Sequence, residues 1–143
     1  MGDSPLISDP LEALEAARVA FDEADDFTMA VEEEFAVLDP ETLEMTPGYE
    51  ALAAAAAERP SLQGMTAGEL IRSEIEIKTG KCETFAEAAE AMARRRIDLV
   101  EVAAATGYRL SAAGTHPWSR WQDQEVIDTP HYHIVESTLR YVA

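Results

Sequence analysis

The hydrophobic and polar positions of this chain change period along its length, and each change marks an element. From Leu70 to Thr79 they alternate: Ile71, Ser73, Ile75, Ile77 and Thr79 fall on one side, Arg72, Glu74, Glu76 and Lys78 on the other. That period of two predicts a strand with one face toward a core, ended by Gly80. Phe27 to Leu38 is rich in β-formers and closes on the turn signal Asp39-Pro40-Glu41-Thr42, which predicts an earlier strand. Tyr108 to Ala113 predicts a third.

Between these runs the spacing becomes helical. Thr84-Phe-Ala-Glu87 has the form of a capping box and Gly107 suits the residue after a helix end, so a helix of about 22 residues is expected between them, roughly 33 Å long. Its apolar stripe reads as Phe85, Ala89, Met92, Ala93, Ile97, Val100 and Ala104, with Arg94, Arg95, Asp98 and Glu101 opposite. The three arginines at 94–96 read as a solvated face or as partners in ion pairs. Asp9-Pro10, with Glu12 behind it, starts a helix over residues 10–24 whose Leu11, Leu14 and Phe21 share a face. An acidic break follows at 22–26, and residues 1–8 read as a short disordered lead-in. The alanine-rich stretch from Tyr49 to Glu58 predicts a helix stopped by Arg59-Pro60, and a last helix begins near Pro130. Strands separated by helices, with carboxylates on strand faces, predict an α+β fold. The division expected is a 1–26 extension carrying a short helix, then the main body over 27–143.

Composition narrows the function. At 143 residues and 47% hydrophobic content the chain can bury one core. No apolar run reaches the roughly 18–20 residues that span a bilayer, and no basic segment followed by an apolar one opens the chain. A single cysteine forms no internal disulfide, so a cytoplasmic protein is expected. The formal charge of −17 repels nucleic acid and anionic membranes, and neither is expected as a partner. The acidity has two readings: a solvated surface, or carboxylates gathered to hold divalent cations.

Three places could carry chemistry. In Glu32-Glu33-Glu34, a strand would point Glu32 and Glu34 to one face and Glu33 to the other, beside Val31, Phe35 and Val37. A cation between Glu32 and Glu34 would offset their repulsion, and Glu33 would need a partner of its own. Glu74 and Glu76 form a second same-face pair, and two such strands could line one cavity with oxygen donors suited to Mg²⁺. The third place is Gly114-Thr115-His116-Pro117 with Trp118, Arg120, Trp121 and Asp123, a loop after a strand that could hold a charged substrate or simply pack its tryptophans. Cys82 reads as a packed thiol, and His131 and His133 lack a third ligand at zinc spacing.

Taken in order, Val31-Glu-Glu-Glu-Phe35 with Leu38-Asp39-Pro40, Ser73-Glu-Ile-Glu-Ile-Lys-Thr-Gly-Lys-Cys82, and Ala112-Ala-Gly-Thr-His-Pro-Trp118 with Arg120-Trp-Gln-Asp123 resemble the type 2 glutamate–cysteine ligases, also called carboxylate–amine ligases. The resemblance covers about residues 27–142. It implies a glutamine-synthetase-like fold with an antiparallel sheet curved around the active site. It also implies ATP-dependent formation of a γ-glutamyl amide through an acyl phosphate, with ATP and Mg²⁺ or Mn²⁺ as cofactors. Glutamate, and cysteine or another amine, would be the small-molecule substrates, and a homo-oligomer is allowed. By that resemblance Glu32, Glu34 and Glu76 are metal ligands and Glu69, seven residues before Glu76, is a further one. Glu74 stands where the family is expected to carry glutamine, and Thr115, His116 and Arg120 are substrate-side candidates. Ala30 replaces the glycine usual before the acidic run, and residues 1–26 have no counterpart. Family members are longer, so the chain is expected to be an N-terminal portion, inactive alone and exposing a sheet edge. The competing readings are a non-catalytic metal- or nucleotide-binding module, and an acidic interaction domain whose melting temperature divalent cations would not raise.

Overall fold

The computed structural model describes residues 9–139. The elements run α1 (Pro10–Asp22), β1 (Glu32–Leu38), α2 (Tyr49–Ala56), β2 (Thr66–Ala67), β3 (Glu74–Lys78), α3 (Phe85–Thr106), β4 (Arg109–Ser111) and α4 (Pro130–Leu139), with a single 3₁₀ turn at Trp121–Asp123. The expected α+β class holds. The four strands form one antiparallel sheet in the order β2-β3-β1-β4. β2 and β4 form the edges of the described sheet. The lead-in at 1–8 lies outside the described residues.

β3 keeps the alternation read from sequence. Ser73, Ile75, Ile77 and Thr79 are buried on one face, and Glu74, Glu76 and Lys78 occupy the other. β1 pairs with it in the register Glu32↔Lys78, Glu34↔Glu76 and Ala36↔Glu74. Regular pairing of β1 starts at Glu32, later than expected from Phe27, because the neighbouring segment carries an extra residue. Between the Met29↔Cys82 bridge and Glu32↔Lys78, one side advances three residues and the other four. Gly80 absorbs the surplus with φ +66°, the left-handed conformation that glycine adopts without strain. The buried Thr79 hydroxyl stitches this bulge to β1 by accepting from the Val31 amide at 2.9 Å.

The core lies on one face of the sheet. Phe35, Val37, Ile75 and Ile77 meet Leu52 and Ala56 of α2, Leu62 of the following turn, and Leu99, Val102 and Ala103 of α3. α3 has both expected caps: the Thr84 hydroxyl accepts from the Glu87 amide at 3.2 Å, and Gly107 ends the helix at φ +83°. Its buried side differs from the stripe read in sequence. Phe85, Ile97 and Val100 are 82%, 62% and 54% exposed, while Ala88, Leu99, Val102 and Ala103 are buried. The sequence offers two apolar stripes on this helix. The inner one is disguised by Arg95, which lies among the packed residues and donates to the carbonyls of Ser61 (3.1 Å) and Thr79 (3.0 Å). The flanking arginines form ion pairs, Arg94 with Glu90 and Arg96 with Glu33.

α1 begins where Asp9-Pro10 predicted, with the Asp9 carboxylate accepting from the Leu11 amide at 2.8 Å. None of its residues is buried, and Leu11, Leu14 and Phe21 are exposed. No helix among the described residues is long and apolar enough to cross a membrane.

Candidate functional site

The face of the sheet opposite the core carries the carboxylates. The pleat sends Glu32 and Glu34 of β1 and Glu74, Glu76 and Lys78 of β3 to this side, and the register sets Glu34 directly across from Glu76. Glu33 points the other way, as its parity required, and there the Arg96 guanidinium of α3 supplies its partner. β2 pairs Ala67 with Glu76, which brings Glu69 over the same spot. One carboxylate oxygen from each of Glu34, Glu69 and Glu76 lies within 4.8 Å of the others.

The cluster is graded in burial. Glu76 is 3% exposed and Glu34 lies open to solvent. The Oε1 atom of Glu76 has no aligned hydrogen-bond donor, although the Lys78 ammonium forms an ion pair with it at 2.8 Å. Lys78 also lies 3.4 Å from Glu32. The structure thus gathers three of the four expected metal ligands and sets Glu32 apart, beside Lys78. Burial pushes the Glu69 carboxyl up to about 7, reinforced by its hydrogen bond with Glu76 and by the charges of Glu76, Glu34 and Glu74. Burial, then the charge of Glu34, also raises Glu74. Three carboxylate oxygens around a partly dry point, with one ammonium at its edge, are a donor set that fits a hard divalent cation.

Tyr132 of α4 lies close to this cluster and was not singled out from sequence. Its hydroxyl donates to the Gly68 carbonyl at 2.9 Å, one residue from Glu69. Burial raises its pKa first, with Glu69 the strongest of the charges acting on it. Nothing in the periodicity of the last helix marks it, since α4 reaches the site only through the tertiary fold.

The second candidate region adjoins the first. A cavity of about 310 Å³ is lined by residues that include Glu32, Glu34, Glu74 and Ala112 to Gly114. Glu74 also lines a neighbouring groove of about 180 Å³ together with Thr115, His116, Arg120 and Trp121. All three substrate-side candidates therefore share one groove, joined to the acidic face through Glu74. Their chemistry differs. The Nδ1 atom of His116 accepts from the Ser119 amide at 3.0 Å and its Nε2 contacts the Leu43 carbonyl at 2.8 Å, so the ring braces the loop against the 39–44 turn. Both nitrogens are engaged, and the imidazole is a structural element in this state. Gln124 further ties the loop to Ser73 at the start of β3 and to the Arg120 carbonyl. Arg120 itself is exposed and makes no ion pair among the described residues. Trp118 and Trp121 are 55% and 70% exposed, so neither buries its ring. Cys82 is buried, as expected of a packed thiol.

The fold and this face define an α+β domain that presents clustered carboxylates beside an arginine-bearing groove. A sequence model of glutamate–cysteine ligase family 2 matches residues 28–142. The chain is 40% identical over 116 residues to the protein named "Putative glutamate–cysteine ligase 2-2" of Rubrobacter xylanophilus, covering 80% of this chain and 29% of that protein. Similarly named relatives from Chloroflexus aurantiacus and Mycobacterium tuberculosis are 33% and 34% identical, each over 82% of this chain and 30% of the relative. The chain belongs to glutamate–cysteine ligase family 2, and spans less than a third of the length of these relatives.

Proposed function

We propose that this chain supplies the cation-binding sheet of an ATP-dependent carboxylate–amine ligase. The reaction joins the γ-carboxylate of glutamate to the amino group of cysteine or another small amine. A carboxylate oxygen first attacks the γ-phosphorus of ATP, the bond from that phosphorus to the bridging oxygen breaks, and ADP leaves. The amine nitrogen then attacks the acyl carbon, the acyl C–O bond to phosphate breaks, and the amine gives up a proton. Glu34, Glu69 and Glu76 hold Mg²⁺ or Mn²⁺, with Glu32 at the margin of the site. A bound divalent ion supplies charge neutralisation for the phosphates, which is where most of the catalysis of phosphoryl transfer lies. Arg120 and Thr115 face the substrate carboxylates from the adjoining groove, and His116 holds their loop in place. The whole enzyme has the glutamine-synthetase-like architecture of an antiparallel sheet around the site and works in the cytoplasm.

The observation that carries this reading is the convergence of the Glu34, Glu69 and Glu76 carboxylates on one point, with Glu76 buried. The test is a chimera in which residues 28–142 replace the matching segment of the Rubrobacter relative. Phosphate release is measured with ATP, Mg²⁺ and glutamate, with and without cysteine. Cysteine-dependent release with a γ-glutamylcysteine product, abolished by Glu76→Gln in a chimera that still melts cooperatively, is the expected result. Release with a different amine alone keeps the ligase class and changes the acceptor. A folded chimera that turns over no carboxylate and amine in a broad panel overturns the assignment.

A further inference from the structure

The carboxylate face contains its own cation. Lys78 is the only basic side chain that forms an ion pair with these carboxylates among the described residues, and it does so at two points. Its Nζ is 2.8 Å from Glu76 Oε1 and 3.4 Å from a Glu32 oxygen. The basic side chains nearby are committed elsewhere. Arg96 pairs with Glu33 on the opposite face, and Arg72 lies between Glu50 (2.8 Å) and Glu125 (2.7 Å). The register explains the placement: Lys78 stands across from Glu32 on β1 and two residues from Glu76 on its own strand, so all three side chains share one face.

We propose that Lys78 is a tethered competitor for the cation site. Its ammonium pairs with Glu76, one of the three carboxylates that converge on the site, and an ion ligated by Glu76 must displace it to bind. The proposal rests on the reading that Glu34, Glu69 and Glu76 hold such an ion. Two positive charges on one carboxylate repel each other, the more strongly the drier the site. The ammonium therefore swings toward Glu32 when the ion arrives. This gives Glu32 a task distinct from ligation: it receives the displaced lysine. It also explains how a dense carboxylate cluster tolerates the ion-free state, since the most buried member keeps a counter-charge. Lys78 is thus a positioning residue, acting on the ion through Glu76.

The consequence is a pair of effects with opposite signs. Removing the charge should weaken the ion-free fold and tighten ion binding. A residue that merely packs would weaken the fold and leave ion affinity unchanged or lower. The experiment uses the whole chain with Mn²⁺ as the probe, measured by isothermal titration calorimetry and by thermal melting with and without the metal. Lys78→Met should lower the Mn²⁺ dissociation constant about tenfold, within the usual range of coupling between two ligands. It should melt below the wild type in chelator and lose that deficit at saturating Mn²⁺. Lys78→Arg keeps the charge and should bind Mn²⁺ as the wild type does. Lys78→Gln provides the same comparison as Lys78→Met should the latter fail to fold. An unchanged or higher dissociation constant in the charge-removing variants, beside a wild type that binds, overturns the competition and leaves the cation site standing. Absence of Mn²⁺ binding in wild type and variants alike overturns the cation site, and the competition with it.

Discussion

Replacing Glu69 by glutamine should stabilise the metal-free protein at alkaline pH and have almost no effect in acid. The Glu69 carboxyl is raised from 4.5 to about 7 in the folded chain by burial, by its hydrogen bond to Glu76, and by the charges of Glu76, Glu34 and Glu74. A carboxyl whose folded pKa lies above its unfolded value binds its proton more tightly in the native state. Between those two values the native protein holds more protons, so stability falls as pH rises through the window and levels off above it. The full shift would be worth roughly 3 kcal/mol at about 1.4 kcal/mol per unit. Glu69 is only partly buried, so solvent screening reduces this to about 1–2 kcal/mol. Glutamine keeps the shape and the donor toward Glu76 but never ionises. The variant should therefore match the wild type near pH 4.5 and melt roughly 3–6 °C above it at pH 8. Thermal melts in chelator across that range make the measurement. Mn²⁺ at pH 8 should stabilise the wild type more than the variant, because the ion takes the place of the proton. A glutamine variant that melts below the wild type at pH 8 without metal, or a difference that does not vary with pH, would refute the crowding of these carboxylates.

Two further substitutions test how the site is held. Gly68→Ala should destabilise by about 1–3 kcal/mol in urea titration, since overpacking forces neighbours to move; the added Cβ would stand 2.6 Å from Ile127 Cδ1 and 2.7 Å from Tyr49 Cζ, beside Glu69. Thr79→Val should cost about 1–3 kcal/mol by leaving the Val31 amide, now 2.9 Å from the Thr79 hydroxyl, without its acceptor beside the bulge. Faster hydrogen exchange at Val31 than in the wild type is the accompanying signature.

Sequence period located what depends on local rules and missed what depends on tertiary contact. The alternation at Ser73–Thr79, the caps at Thr84 and Gly107, and the Asp9-Pro10 helix start are each set within a few residues, and each stands in the structure. The parity of Glu33 foretold a separate partner, and Arg96 is that partner. The buried side of α3 was assigned to the wrong stripe, because Arg95 spends its charge on two carbonyls that only the folded turn and strand bring within reach. Glu32 looked equivalent to Glu34 until the register placed Lys78 across from it. β2 is two residues long, too short for any period to show, yet it is the strand that delivers Glu69. Tyr132 arrives from a helix more than fifty positions away along the chain from Glu76, and no local pattern marks it.

The distribution of the few cations is what turns a general acidity into a site. Against 28 acidic residues the chain sets 11 basic ones. Arg59 pairs with Asp98 and Glu101, Arg72 with Glu50 and Glu125, Arg96 with Glu33, and Lys81 with Asp25. Each of these holds one element to another, away from the open face. Among the described residues that face keeps one ammonium beside five carboxylates, and Arg120 stands unpaired on the adjoining groove. If the charge were simply a solvated surface, nothing would require the most buried glutamate to sit at the centre of the densest cluster, because burial makes repulsion costlier. The arrangement is economical if the cluster awaits a divalent ion and the free guanidinium awaits a carboxylate. The two regions meet at Glu74 and Gly114, the residues that line both cavities.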